Sequence, residues 1–200
     1  MVRSPHAHAR IRSIDTSKAM AVPGVIAVLT GADAAMDGLA PIPHDPGWLD
    51  PPDVELQISP EFKVFTTENA ALALDTVRYV GEAAAMVVAE TITAAMDAAE
   101  QVEIDYEPLA AVIDARAALA PGAPRIWSGC SGNLALTCEV GDKDATYRAF
   151  AEATHVVKFD SQVNRVTGSP MEPRAAIGEY NAATGRYTLR AGSGRGVVQT

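Results

Sequence analysis

Two histidines stand two residues apart in "SPHAHAR", His6 and His8. Strand side chains repeat every two residues, so both imidazoles would leave one face and could share a metal ion. No third ligand stands nearby, and His44 and His155 are distant with no recognisable spacing. Ordinary strand histidines are the plainer reading. Glu103, Asp105 and Glu107 alternate in "VEIDYE", which puts all three on one exposed strand face, a solvated edge. General acid–base work needs a carboxyl in a cleft with a shifted pKa. Glu82 is the better-placed acid, because with Gly81 it interrupts an otherwise apolar stretch. A nucleophile elbow, HExxH, P-loop or complete GxGxxG is absent.

The last ten residues read "AGSGRGVVQT", with Gly192, Gly194 and Gly196 ahead of an apolar pair. Backbone N–H groups at a helix start attract phosphates, and Arg195 suits an anionic group. A dinucleotide fingerprint also requires a βαβ context and an acidic residue about twenty positions on. The 200 residues contain no such acid after Gly196. From the residues alone, an ordinary glycine turn and an anion loop both stay open. Cys130 and Cys138 match neither a CxxC knuckle nor a disulfide framework and read as free, structurally incidental thiols.

Positioning such residues requires elements. "HARIRSID" (8–15) reads as a strand, and Asp15, Thr16 or Ser17 caps a short helical turn that Pro23-Gly24 ends. "VIAVLT" (25–30) has the pattern of a strand covered on both faces. Residues 37–60 hold six of the thirteen prolines and read as one long irregular loop. "VRYV" and "AAMVVAE" read as two strand pieces broken at Gly81-Glu82. Next, Ile92, Ala95, Met96, Ala99 and Val102 form one apolar helical stripe. "VEIDYE" (102–107) returns as a strand, so strand, helix and strand make an α/β unit. "DARAAL" (114–119) is a short helix. Turn residues crowd 123–141, Asp142 or Asp144 caps a helix over 142–153, and 154–166 is a strand candidate. "PMEPRAAIGEYNAATGRYTLRAG" reads as a hairpin turning at "NAATG".

The bulk numbers bound the function. Hydrophobic residues make up 48% and charged residues 20%, a globular composition. Sixteen basic against twenty-five acidic residues leave a net charge of -9, a surface that repels phosphate backbones and argues against nucleic acid. No apolar run is long enough to span a bilayer, and "MVRSPHAHAR" has no apolar signal core. A cytoplasmic, non-membrane protein is the expectation.

Three stretches together carry a resemblance: "VRSPHAHARIRSIDTSKAMAVPGVIAVLTGAD", "VRYVGEAAAMVVAETITAAMDAAEQVEIDYEPLAAVIDARAAL" and "NRVTGSPMEPRAAIGEYNAATGRYTL". In this order they resemble the molybdenum-binding large subunit of the xanthine dehydrogenase, aldehyde oxidase and aerobic carbon monoxide dehydrogenase family. The resemblance implies an α/β (α+β) fold. An a/b hammerhead domain would occupy 1–122, a linker 123–141, and the incomplete start of a mixed α/β molybdopterin-binding domain 142–200. It implies an oxidoreductase in which a molybdenum ion on a pterin dithiolene, such as molybdopterin cytosine dinucleotide, hydroxylates a small-molecule substrate with oxygen from water. Electrons would leave through iron–sulfur and FAD-binding partners.

The resemblance also implies departures. A full large subunit is several hundred residues longer, and its general-base glutamate and most pterin contacts would lie beyond Thr200. The resemblance thus implies no catalytic residue and no metal ligand among these 200. The stretch Gly192, Ser193, Gly194, Arg195 and Gly196 would face the cofactor. Many members place a glutamine, hydrogen-bonded to a molybdenum ligand, where Gly194 stands. Glycine has no side chain for that bond, so either the backbone approaches the cofactor or the site differs. The expectation is an N-terminal piece, inactive and cofactor-free alone. The alternatives are a separately encoded subunit docking on a partner chain and a non-catalytic hammerhead-like interaction module. A piece of this kind would expose an apolar patch along 155–200 and self-associate.

Overall fold

The computed structural model describes residues 1–44, 57–164, 171 and 175–191. They fall into two compact units, Met1–Arg148 and Ala149–Thr200. In chain order the first unit contains β1 (Val2–Arg3), β2 (Ala9–Asp15), α1 (Ser17–Met20), β3 (Val25–Thr30), α2 (Gly31–Met36), β4 (Ile42–His44) and β5 (Thr67–Asn69). It continues with β6 (Thr76–Val77), β7 (Ala83–Ala89), α3 (Ile92–Glu100), β8 (Glu103–Pro108), α4 (Ala115–Ala118) and α5 (Lys143–Glu152), whose last residues pass the division.

Two three-stranded sheets, ordered β1-β7-β3 and β6-β2-β8, form its body, and β4 pairs with β5. Every described pairing is antiparallel. The expected strand, helix and strand are present as β7, α3 and β8, with β7 and β8 in different sheets. Among the described residues no parallel crossover forms, because β7 pairs with β1 and β3 and β8 pairs with β2. The core is built from small side chains. Ala9, Ala73 and Val77 are buried together, with Ile11 and Tyr106 packed against them.

Local chemistry sets the helix starts. The Asp33 carboxylate accepts from the Thr30 N–H at 2.7 Å and the Thr30 hydroxyl at 2.6 Å, closing the first turn of α2. Thr91 Oγ1 accepts from Ala94 N at 3.1 Å, Asp114 Oδ1 from Ala117 N at 2.7 Å, and Asp142 Oδ1 from Ala145 N at 2.8 Å. Each satisfies an N–H that the helix itself leaves orphaned.

Four expectations need correction. The α3 stripe is rotated: Ile92 and Met96 are 79% and 63% exposed, whereas Ala98 is fully buried. Helix α3 packs on β7, α1 and β3 through its small side chains, which a count of large apolar residues misses. Strand β3 is not covered on both faces: Ile26 is exposed and its other residues are half-buried. The proline-rich loop contains a short strand, β4, with Pro43 inside it, which an edge position tolerates; residues 45–56 of that loop lie outside the described residues. Of "VRYV" only Val77 is in a strand, and Arg78, Tyr79 and Val80 form the turn. Helix α2 and strand β5 had no sequence expectation.

The second unit is described by β9 (Ala176–Asn181) and β10 (Arg186–Ala191), the expected hairpin. Asn181 Oδ1 accepts from the N–H groups of Ala183 and Thr184 in the turn, and Gly185 takes a positive φ of 67°. The described part of 154–166, up to residue 164, is not a strand. Its apolar side chains, Val157, Phe159 and Val163 among them, are exposed.

Candidate functional site

The first two resemblance-bearing stretches meet at one turn. Gly81, held at a φ of 92°, donates its N–H to Ser4 O at 2.8 Å, and Ser4 N donates to Glu82 O at 2.8 Å. Arg3 Nη1 donates to Gly81 O at 2.8 Å. A Cβ on Gly81 would meet nothing within 4 Å, so glycine is required there by backbone conformation alone. Glu82, the acid singled out from sequence, accepts from Arg78 N through Oε2. Its carboxylate closes the 78–82 turn, and it is half-buried.

Above this turn lies a cleft of about 300 Å³. Alanines of α2 and of the 70–74 segment line it together with Arg78 and Trp127. The Arg78 guanidinium sits 3.9 Å over the Trp127 ring, an attraction between cation and aromatic face. Nη1 donates to Thr76 O at 3.1 Å, whereas Nε is buried without a partner. No carboxylate pairs with this guanidinium among the described residues.

Tyr106, from "DYEPL", joins from β8 and meets the His6 ring edge-on at 4.9 Å between centroids. Burial pushes its phenol up, tempered by the nearby Ser4 hydroxyl and reinforced by the Glu82 charge. The hydroxyl makes no hydrogen bond of good geometry. His8 goes elsewhere, its Nδ1 lying 2.8 Å from Ala110 O. The two histidines thus have separate partners, and no group of three His, Cys, Asp or Glu is placed to hold a metal ion among the described residues. On β8, Glu103 pairs with Lys18, and Glu107 pairs with Arg10 at 3.1 Å and Arg12 at 3.5 Å, a solvated ion-pair edge as expected. Cys130 and Cys138 are both free thiols.

Arg78, Trp127 and Asn133 were not singled out from sequence. Asn133 takes a positive φ of 57°. Its side chain accepts from Ile126 N at 3.0 Å and donates to Ala118 O at 3.1 Å and Pro124 O at 2.9 Å. One side chain therefore fastens the turn-rich 118–133 segment. The available signal was "SGN", since asparagine tolerates the left-handed region better than most residues. The candidate cofactor-facing residues Gly192, Ser193, Gly194, Arg195 and Gly196 lie outside the described residues; β10 delivers the chain to them at Ala191.

Mixed α/β architecture with short antiparallel sheets defines the class of fold. Residues 1–110 match the aldehyde oxidase and xanthine dehydrogenase a/b hammerhead domain, and residues 127–194 match the molybdopterin cofactor-binding domain. The chain belongs to the aldehyde oxidase and xanthine dehydrogenase family. Among relatives, the carbon monoxide dehydrogenase large chain of Afipia carboxidovorans is 38% identical, over 94% of this chain and 22% of that one. The 6-hydroxypseudooxynicotine dehydrogenase complex subunit gamma of Paenarthrobacter nicotinovorans is 38% identical over 88% of this chain and 21% of its own. The crystal structure of quinoline 2-oxidoreductase from Pseudomonas putida 86 superposes with a TM-score of 0.76 at 36% identity, covering 94% of this chain and 22% of that one. The chain thus spans about a fifth of the length of these relatives. No helix among the described residues is long and apolar enough to cross a membrane.

Proposed function

We propose that these 200 residues form the hammerhead domain and the opening of the cofactor domain of a molybdenum hydroxylase large subunit. Two family matches in the family's order on one chain carry the reading. The proposed division is 1–122 for the hammerhead, 123–141 for the connector and 142–200 for the start of the molybdopterin-binding domain. The molybdopterin-domain match reaches back into the connector, to residue 127.

The donor chemistry fits the cofactor. Ladder β9–β10 ends at Ala191, directly before Gly192-Ser193-Gly194-Arg195-Gly196. Three residues without Cβ let backbone N–H groups approach closely, Ser193 adds a hydroxyl, and Arg195 adds a cation for phosphate. When bound, the molybdenum cofactor, proposed in its cytosine dinucleotide form, supplies hydroxylation of a substrate carbon with oxygen from water. This chain's residues bind and orient it: Arg195 and the glycine N–H groups hold the anionic end. Gly194 donates from backbone only.

Turnover belongs to the assembly and not to these residues alone. The chain packs with the rest of the large subunit, or a partner chain bearing it, and with iron–sulfur and FAD-binding subunits in the cytoplasm. Purification of the tagged chain from its source organism tests this. Iron–sulfur and flavin absorbance should co-elute with the tag. Elution free of both chromophores would overturn the assignment of partners.

A further inference from the structure

We propose that the cleft between α2 and Trp127 binds a small zwitterion, an α-amino acid with an apolar side chain. Nothing in this inference depends on the molybdenum reading. The volume, about 300 Å³, is that of a small-ligand pocket and not of a packing defect. Ala34, Ala35, Leu39 and Pro41 share the lining with Trp127, an apolar surface suited to a hydrocarbon or aromatic body.

Charge decides which body enters. Arg78 presents a guanidinium with one donor spent on Thr76 O and no counter-ion among the described residues. Guanidinium–carboxylate pairing is the bond that geometry favours. Three carboxylates, Glu68, Asp75 and Glu82, share the lining, so one positive charge against three negative ones leaves -2. Glu82 already accepts from Arg78 N, and Glu68 and Asp75 have no ion-pair partner among the described residues. A simple anion meets that surplus of negative charge. A simple cation leaves Arg78 unanswered. A molecule carrying both, with its carboxylate toward Arg78 and its ammonium toward Glu68 and Asp75, answers each.

Calorimetric titration of the 200-residue chain with three molecules of one body separates these cases: L-phenylalanine, phenethylamine and 3-phenylpropanoate. Phenylalanine should bind saturably and at least about fivefold more tightly than either, the return on one charge-assisted hydrogen bond near a surface. Arg78→Gln should bring phenylalanine to the level of phenethylamine. Because Arg78 also packs on Trp127, a second variant guards against misfolding. Glu68→Gln with Asp75→Asn, both at exposed positions, should bring phenylalanine to the level of 3-phenylpropanoate. Absence of saturable binding, equal affinity for the three molecules, or variants that leave the ranking unchanged would overturn the proposal.

Discussion

Gly31 and Ala73 approach so closely that no side chain fits between them. A Cβ built on Gly31 runs into the Ala73 carbonyl, with its carbon and Leu74 Cα both at 2.8 Å. Backbone, not a flexible side-chain tip, forms this wall, so relief requires moving α2 away from the buried 72–73 segment. Gly31→Ala should therefore destabilise by about 1–3 kcal/mol, the range for overpacking. Urea unfolding reads this as a lower midpoint at unchanged slope; an unchanged midpoint would show that the segment gives way freely.

The rotated face of α3 makes a second prediction. Ala98→Leu should cost about 1–3 kcal/mol by overpacking at a fully buried position, whereas Met96→Gln should stay within about 0.5 kcal/mol as a surface change. Thermal melts of the two variants check it. The reverse ranking would restore the stripe that the sequence suggests.

That case shows why part of the fold was legible and part was not. Ser, Thr and Asp caps, Pro-Gly stops and the alternation of "VEIDYE" act within a few residues, so α3, α4, α5, β2 and β8 were readable. The face of α3 depends on how closely alanines approach a sheet, a tertiary property invisible in a hydrophobicity pattern. Strand β5 is short, and β4 carries a proline; both exist because they pair with each other across the intervening loop. At the cleft, Glu82 was found because it broke an apolar run. Arg78 and Trp127 are 49 positions apart, and only folding stacks them. Gly192, Gly194 and Gly196 stood out in the sequence as a possible anion loop, and resemblance then suggested that they face the cofactor.

Acid should weaken the protein through named groups. Asp33 sits below the usual carboxylate range because its carboxylate accepts first from the Thr30 hydroxyl and then from the Thr30 N–H. Asp15 is likewise lowered by the Ser17 hydroxyl and N–H. A lowered folded pKa contributes stability above the unfolded value of about 3.9, lost as pH falls toward and through the folded value. Melting temperature should therefore decline on acidification below about pH 4. Asp33→Asn with Asp15→Asn should flatten that decline. An identical acid slope in the double variant would contradict the assignment.

The hairpin of the second unit presents an uncovered apolar face. Tyr180 and Tyr187 stack with centroids 4.6 Å apart, and Tyr187 and Leu189 on the same face are 79% and 74% exposed. Two strands alone are marginal in water, and such a face favours association. Sedimentation velocity of the chain should show concentration-dependent self-association, reduced by Tyr187→Ser with Leu189→Ser. A clean monomer at high concentration would contradict it.

Molybdenum content is the most direct test of the proposal that these 200 residues form the opening part of a molybdenum hydroxylase large subunit and reach turnover only within the assembly. The chain should be produced alone in a molybdenum-replete host that makes molybdopterin cytosine dinucleotide, purified, and measured by plasma mass spectrometry alongside dye-linked oxidation. Molybdenum should be far below stoichiometric, with no turnover. One molybdenum per chain with dye reduction, from these 200 residues alone, would contradict it.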